Sequence, residues 1–287
     1  MARILFSILL VLVSWANLWA DDFDRFKTTT RLFVEAADFY WEERIDGSKV
    51  LDEKGALYGI GLAVSDICTA SKSINPDLYR LTFGGYLKYT FGTMDYDGQA
   101  QRLSEDGQTL EAIPAKTKVD YSGFTFEPYV GALFKTRSLN WFIEPKLALG
   151  YRNWTRNLKT TAQAQGYEEH WQTLYGKLGA TAIFLFHEAY RLDLSGGAIV
   201  PLWAANDVDL VSHISLSPKA FHPTPYADAT LQYKRVELTI YFEAFAYGQS
   251  DPVNGYVQFG DQIYSAQISQ PDSYEERIGA RLSIAFY

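Results

Sequence analysis

The stretch Tyr79–Phe91, which reads YRLTFGGYLKYTF, decides the fold. Every second position, beginning with Tyr79, is apolar or small, whereas the positions between them include Arg80 and Lys88. A period of two is that of a β-strand, because successive side chains point to opposite faces. The alternation lasts about twice as long as a typical soluble strand and satisfies the ~9–11 residues of a tilted membrane-spanning strand. The stretch therefore predicts a strand with one lipid-facing side and one polar side.

The same alternation recurs along the rest of the chain. It predicts an all-β fold, an antiparallel up-and-down transmembrane β-barrel of about ten strands, with eight or twelve strands as alternatives. A soluble β protein rarely buries so many charged positions, whereas a wet lumen accommodates them. The predicted strands are 30–41, 55–66, 78–92, 119–135, 140–155, 169–186, 190–200, 225–234, 235–247 and 274–287.

The connections between these strands alternate in length. Short ones are predicted at 136–139, 187–189 and around Lys234–Arg235, with a modest one at 67–77. Long polar loops are predicted at 42–54, 93–118, 156–168, 201–224 and 248–273. Short turns at one end and long loops at the other are typical of membrane barrels, whose short turns are periplasmic. An even strand number then places both termini on the periplasmic side.

The first twenty residues read as a cleaved secretory signal. Arg3 provides a positive start, Ile4–Val13 is apolar, and the segment ends on the small residue Ala20. The apolar run is shorter than the ~20 residues that a spanning helix needs. We therefore predict cleavage after Ala20 and one barrel domain over residues 21–287.

Composition excludes several classes of function. The chain carries a net charge of −8, which becomes −9 when Arg3 leaves with the signal, so nucleic acid is not a predicted partner. Hydrophobic residues make up 47% and aromatic residues 16% of the chain. Mean hydropathy is −0.15, far below that of a helical membrane protein, yet compatible with strands that are apolar on one face.

The whole mature chain resembles bacterial outer-membrane β-barrel proteins. The alternating strands carry this resemblance, as does the end of the chain, where the alternation reaches Phe286 one residue before Tyr287. The resemblance implies a Gram-negative outer-membrane location, contact with outer-membrane lipid, and delivery by periplasmic chaperones and the barrel-assembly machinery. It implies no cofactor, and closure of every strand edge favours a monomer.

The densest group of chemically capable residues lies on the predicted fifth and sixth strands. Arg152, Trp154 and Arg156 share the inward face of the fifth strand, and Glu169 and Trp171 share that of the sixth. Their spacing fits a charge-paired, aromatic-filled lumen, because the guanidinium fork matches a carboxylate. The alternative is an anion or sugar site, in which the arginines donate hydrogen bonds and the indoles stack on the ligand.

Two weaker motifs suggest an outer-membrane hydrolase instead. Ten-stranded barrels include the omptin proteases, and Asp95 and Asp97, together with His170 after Glu168, are similar to the omptin acidic pair and histidine pair. The omptin Asp-x-His itself is not matched, because Glu168 replaces the aspartate. Asp95, Asp97 and His170 also have the outward parity of their strands, although solvated rim segments need not follow it.

A second hydrolase motif has the His-x-Ser spacing of the outer-membrane phospholipases. His213 and Ser215 would share one face, as a nucleophile and its base require. The Asn-Gly that follows in that family is replaced by Leu216-Ser217. His187 and His222 lack ligand-like spacing, so no metal site is predicted.

The favoured hypothesis is a barrel without enzymatic activity, with a structural, ligand-binding or narrow-channel role. Ten strands enclose little more than side chains, and the inward positions carry charges of both signs, which predicts a largely plugged, charge-lined lumen rather than an open porin. These predicted inward charges are Arg80, Lys88, Glu127, Glu144, Lys146, Arg152, Lys177, Arg191, Asp193, Glu237, Glu243, Arg277 and Arg281.

Overall fold

The computed structural model describes most of the chain after the predicted signal. The described residues are 28–70, 78–103, 110–136, 140–161, 166–186, 189–209, 213–259 and 262–286. The predicted signal segment 1–20, His187 and Tyr287 lie outside this part. No helix among the described residues is long and apolar enough to cross a membrane.

The described residues form fourteen β-strands. These are β1 (Thr29–Ile45), β2 (Ser48–Ala70), β3 (Leu78–Leu103), β4 (Leu110–Lys135), β5 (Trp141–Leu158), β6 (Glu168–Phe186), β7 (Tyr190–Asp209), β8 (His213–Leu216), β9 (Lys219–His222), β10 (Thr224–Tyr233), β11 (Val236–Gly248), β12 (Val253–Phe259), β13 (Gln262–Ile268) and β14 (Asp272–Phe286).

Ten of these strands close into one antiparallel barrel. Strands β1 to β7 pair in sequence, β10 pairs with β7 and β11, and β14 pairs with β11 and β1. In the closing pair, Thr30 lies opposite Phe286 and Arg44 lies opposite Asp272, so β1 and β14 are paired along almost the whole of β1. The predicted ten-stranded up-and-down barrel is confirmed, and the eight- and twelve-stranded alternatives are wrong.

The predicted loop boundaries at the end away from the described termini are wrong, because the strands continue far beyond the apolar, lipid-facing part of the barrel. Strands β3 and β4 stay paired as far as Leu103 opposite Leu110, through what was predicted as the loop 93–118. The predicted loop 42–54 shrinks to Asp46-Gly47, whose φ angles of 50° and 76° suit a tight hairpin turn. Backbone pairing persists beyond the apolar belt, where the outward side chains turn polar and the inward ones, such as Met94 and Tyr96, are apolar, so the lipid-facing pattern ends although the strand continues.

The other predicted long loops also contain strand. Strand β7 runs to Asp209, and β8 and β9 occupy part of the predicted loop 201–224. The hairpin β12–β13 occupies the predicted loop 248–273. Its Val253 and Ile268 pack against the buried cluster of Val208, Ile214 and Leu216, so this hairpin lies beside the ends of β7 and β8.

Large apolar side chains are exposed on the outer face of all ten barrel strands. Polar groups follow directly beyond them, as on β1, where Ala36 is succeeded outward by Asp38. An exposed apolar belt on a closed barrel is the surface that contacts lipid in membrane barrels. Its members include Leu32, Ile60, Leu62, Leu87, Phe91, Phe126, Leu147, Leu178, Leu194, Leu231, Leu238, Ile240, Ile278 and Phe286.

Inside the barrel, large aromatic side chains lie flat against glycines of neighbouring strands. A Cβ at Gly150 would overlap the ring of Tyr175, and one at Gly61 would overlap the ring of Phe33. Glycine at these inward positions therefore leaves room for bulky rings in a narrow lumen. The ring of Tyr175 is almost fully buried as a result.

Candidate functional site

The five side chains predicted on the inward faces of the fifth and sixth strands lie together near the end of the barrel away from the described termini. Trp154 lies directly opposite Trp171 in the β5–β6 pairing, and Arg156 lies opposite Glu169. With Arg152 they are all buried. The outward neighbours at this level, such as His170, are polar, so the group lies beyond the apolar belt, at the end away from the described termini.

Arg156 lies at the centre of the ion pairs in this buried group, which we call the outer layer. Its Nη1 donates to Glu169 Oε1 at 2.6 Å and lies 3.6 Å from Glu43 Oε1. Its Nε donates to Glu53 Oε1 at 2.9 Å, and Nη2 bonds the same oxygen. Tyr121 Oη donates to the other Glu53 oxygen. One buried guanidinium thus holds three buried carboxylates.

Three indole rings pack beside this ion-pair centre. The rings of Trp154 and Trp171 stack at 5.4 Å between centroids and 12° between planes. Trp41 meets Trp171 edge-on at 5.2 Å. The indole nitrogens of Trp171 and Trp41 donate to Glu169 at 2.8 Å and Glu43 at 3.0 Å, so the aromatic and ionic parts form one network.

Arg152 continues the network toward the membrane-facing part. Its Nη2 donates to both oxygens of Glu275, at 2.9 and 3.0 Å. The guanidinium lies between the rings of Trp154 and Phe245, 4.5 and 4.2 Å from their centroids. Nη1 of Arg152 and Nε1 of Trp154 make no hydrogen bond with the described residues. An anion or sugar there stays a prediction, and these two donors are the groups it would use.

A ladder of alternating charges runs down the lumen from Arg152. The successive charged atoms are 2.7 to 3.8 Å apart, and every member is buried or half-buried. Opposite charges held at this distance in a low-dielectric interior offset much of the cost of burying them. The order is Arg152, Glu275, Arg277, Glu243, Lys88, Glu35 and Arg281.

The sequence did not reveal the carboxylates that hold the two arginines. Glu43 and Glu53 fall in the predicted loop 42–54, and Glu275 is not among the predicted inward charges. Each of the three glutamates lies at an inward position of its strand. Glu43 follows the buried Trp41 by two residues, and Glu53 follows the buried Leu51 by two residues. Extending the inward parity of the first predicted strand past residue 41, and that of the second back before residue 55, would have identified Glu43 and Glu53.

The omptin-like residues are not brought together. Asp95 and Asp97 point outward from β3 and pair with Lys118 and Lys116 of β4, each at 2.7 Å. His170 lies on β6, where its Nε2 is 2.8 Å from Glu168. Strands β4 and β5 separate the aspartates from the histidine.

His213 and Ser215 share the outward face of β8, as their spacing predicted, but they do not form a nucleophile–base pair. Ser215 Oγ donates to Asp207 Oδ1 at 2.6 Å, and His213 Nδ1 lies 2.8 Å from Asp209 Oδ1. The hydrogen bond with Asp209 raises the pKa of His213. The hydroxyl is therefore oriented by a carboxylate rather than by the imidazole.

Glu43 makes the stability of the outer layer depend on pH. Burial raises the pKa of Glu43 to about 7, although Arg156 opposes the shift and Glu169 supports it. The folded chain therefore keeps a proton between the ordinary value of 4.5 and about pH 7 that the unfolded chain releases. Stability from this proton is complete below pH 4.5 and is lost as pH rises through 7.

We predict that Glu43→Gln is less sensitive than the wild type to a rise from pH 5 to pH 8, because an amide cannot ionise yet still accepts the Trp41 hydrogen bond. The measurement is the temperature at which the compact, fast-migrating form is half lost on SDS gels. Glu42→Gln is the control, since hydrogen bonds from Tyr40 and Arg44 outweigh burial and lower the pKa of Glu42, so Glu42 stays ionised throughout this range and the variant should keep the wild-type response. An unchanged pH response in Glu43→Gln would contradict the assignment.

Comparison with known proteins gives matches of fold. No protein-family description and no curated protein matches the chain. Outer membrane protease OmpT from Escherichia coli matches at 10% identity and TM-score 0.47, over 93% of this chain and all of that one. The translocator domain of autotransporter NalP from Neisseria meningitidis matches at 13% identity and TM-score 0.37, over 99% and 98%. A Pseudomonas aeruginosa FadL homologue matches at 10% identity and TM-score 0.31, over 91% of each chain. The chain is thus similar to bacterial outer-membrane β-barrels, as the sequence predicted.

Proposed function

We propose that this protein is an outer-membrane barrel whose outer mouth is sealed by its own side chains, and that it acts as a non-conducting structural or ligand-binding barrel. One observation carries the proposal. A single buried apolar cluster receives side chains from nine of the ten barrel strands, and Glu275 adds the tenth, β14. Side chains that converge from the whole wall cross the lumen rather than line it.

The composition of the seal supports closure to ions. Its charged groups are paired with one another, and the three indoles fill the space beside them. A permeating ion would have to displace Arg156 from Glu53 or open the Trp154–Trp171 stack. Both steps leave buried charge or apolar surface without its partner, at a cost of several kcal/mol.

The setting of the barrel is part of the proposal. We infer that a signal ending at Ala20 directs export, that the described termini face the periplasm, and that the sealed mouth faces outward. The apolar belt would contact outer-membrane lipid. Periplasmic chaperones and the barrel-assembly machinery would be its partners during assembly, and the closed strand ring suits a monomer.

Planar-bilayer recording tests the seal. Refolded full-length protein, whose folding is confirmed by gel mobility before insertion, should give no steady conductance above that of the lipid. A large, stable, open conductance in the wild type would overturn the proposal, because the cluster would then line a pore.

A hydrolase at the outer rim is the alternative, and the His213–Asp209 hydrogen bond is the observation in its favour. Peptide and phospholipid assays test it, with Asp97→Ala and His213→Ala as variants. Activity that His213→Ala abolishes would favour this alternative. Activity that both variants retain would remove these residues from consideration.

A further inference from the structure

The half of the barrel nearer the termini contains a cavity of about 260 Å³ below the seal. Arg31 and Ser283 lie on its wall, near the start of β1 and the end of β14. Several wall side chains are partly reached by solvent, including Lys146, at 27% exposed, and Arg281, at 22%. The cavity therefore extends toward the end of the barrel that carries the termini.

The cavity wall carries one more carboxylate than basic groups. Each basic side chain has a carboxylate partner: Arg31 with Glu237, Lys146 with Glu144, Lys177 with Glu127, Arg191 with Asp193, and Arg281 with Glu35. Glu243, also on the wall, lies 3.8 Å from Lys88. Asp228 alone among the described wall carboxylates has no hydrogen bond or ion pair within the described chain.

Lys177, which interacts electrostatically with Asp228 without forming an ion pair, contacts other groups. Lys177 Nζ lies 3.5 Å from Glu127 Oε1 and 4.3 Å from the centroid of the Tyr226 ring. The Tyr226 ring in turn lies flat against β6 and β7, since a Cβ at Gly179 or Gly197 would overlap it. The ring keeps to the wall, so the space beside Asp228 stays open.

The remainder of the wall offers neutral hydrogen-bonding groups. Thr181 and Ser195 share one hydrogen bond at 3.1 Å, and Thr230 and Thr239 share another at 2.8 Å. A hydroxyl that donates in such a pair still has lone pairs that accept. The volume lies below the roughly 300–1,000 Å³ of drug-sized pockets, so only a small molecule fits.

We propose that this cavity binds a small molecule bearing one primary amine and a hydroxyl, with the ammonium paired to Asp228 and the hydroxyl directed to the threonine and serine groups. An ammonium supplies the one positive charge that the wall lacks, and it forms a charge-assisted hydrogen bond with the carboxylate. Binding does not depend on whether the outer mouth conducts, so its failure and the failure of the seal are separate outcomes.

Calorimetric titration of the refolded full chain in detergent tests the site. The probe is 4-aminobutan-1-ol, and 1,4-butanediol is the uncharged probe of equal length. We expect the amine to bind at least about tenfold more tightly than the diol, which corresponds to about 1.4 kcal/mol. Equal binding of both probes, or no binding of the amine, would overturn the proposal.

Two variants assign the binding to the carboxylate. Asp228→Asn keeps the shape of the side chain and should weaken amine binding about tenfold while leaving diol binding unchanged. Asp38→Asn is the matched control, because Asp38 faces outward and also has no partner within the described chain. Gel mobility confirms that each variant is folded. If folded Asp228→Asn and Asp38→Asn bind the amine with the same affinity, the assignment of the ammonium to Asp228 is wrong.

Discussion

Replacing Arg156 by methionine should lower the free energy of unfolding by about 3–5 kcal/mol, the range for breaking a buried ion pair from one side. Methionine retains much of the apolar volume but leaves Glu53, Glu169 and Glu43 without the cation that all three contact. The carboxylates would then have to take up protons or draw water into the layer. Urea unfolding in detergent, followed by tryptophan fluorescence, measures the loss.

Arg44→Met is the matched control for this prediction. Arg44 is half exposed and pairs with Glu42 on the outer face, so its removal should cost less than about 1 kcal/mol. Adding Glu53→Gln to Arg156→Met should restore part of the loss, because the double variant buries one fewer unpaired charge. Equal losses in Arg156→Met and Arg44→Met would show that the buried network does not stabilise the barrel.

The barrel was predictable because the membrane imposes a pattern on the sequence. Between Phe83 and Phe91, each outward side chain must suit lipid and each inward one must suit the lumen, so the period of two is strict. Beyond Thr93 the outward side chains, such as Asp95, are polar and the inward ones, such as Met94, are apolar, so the pattern of a lipid-facing strand ends there. Strands β3 and β4 nevertheless remain paired there, because each backbone still satisfies the other. The ends of these strands therefore could not be predicted from the lipid-facing pattern.

The outer layer was predictable on one side of the lumen but not across it. Arg156 and Glu169 lie opposite each other in one hairpin, so the parity and adjacency of the two strands were enough to bring them together. Arg152 and Glu275 are 123 positions apart and meet through the lumen. Contacts of this kind depend on barrel radius and strand tilt, which leave no trace in local spacing. The charge ladder could be predicted in composition, but its pairings could not.

The seal also implies that removing its aromatic centre should open a path for ions. We predict that the double variant Trp41→Ala/Trp171→Ala gives steady conductance in planar bilayers under conditions in which the wild type is silent. Trp171 contacts Trp41, Trp154 and Tyr247 in the middle of the lumen, so two truncations remove the rings that bridge opposite walls. The cost in stability should be large, about 3–5 kcal/mol for each tryptophan.

The experiment separates opening from misfolding by comparing two readouts. The double variant must first show the compact gel mobility of a closed barrel, and Trp203→Ala provides the matched control. Trp203 faces outward and is 46% exposed, so its removal should leave the bilayer silent. Because the paired charges below the aromatic layer would remain, the opened path should be narrow. A folded double variant that stays silent would show that the ion-paired groups around Arg156, rather than the indoles, close the lumen.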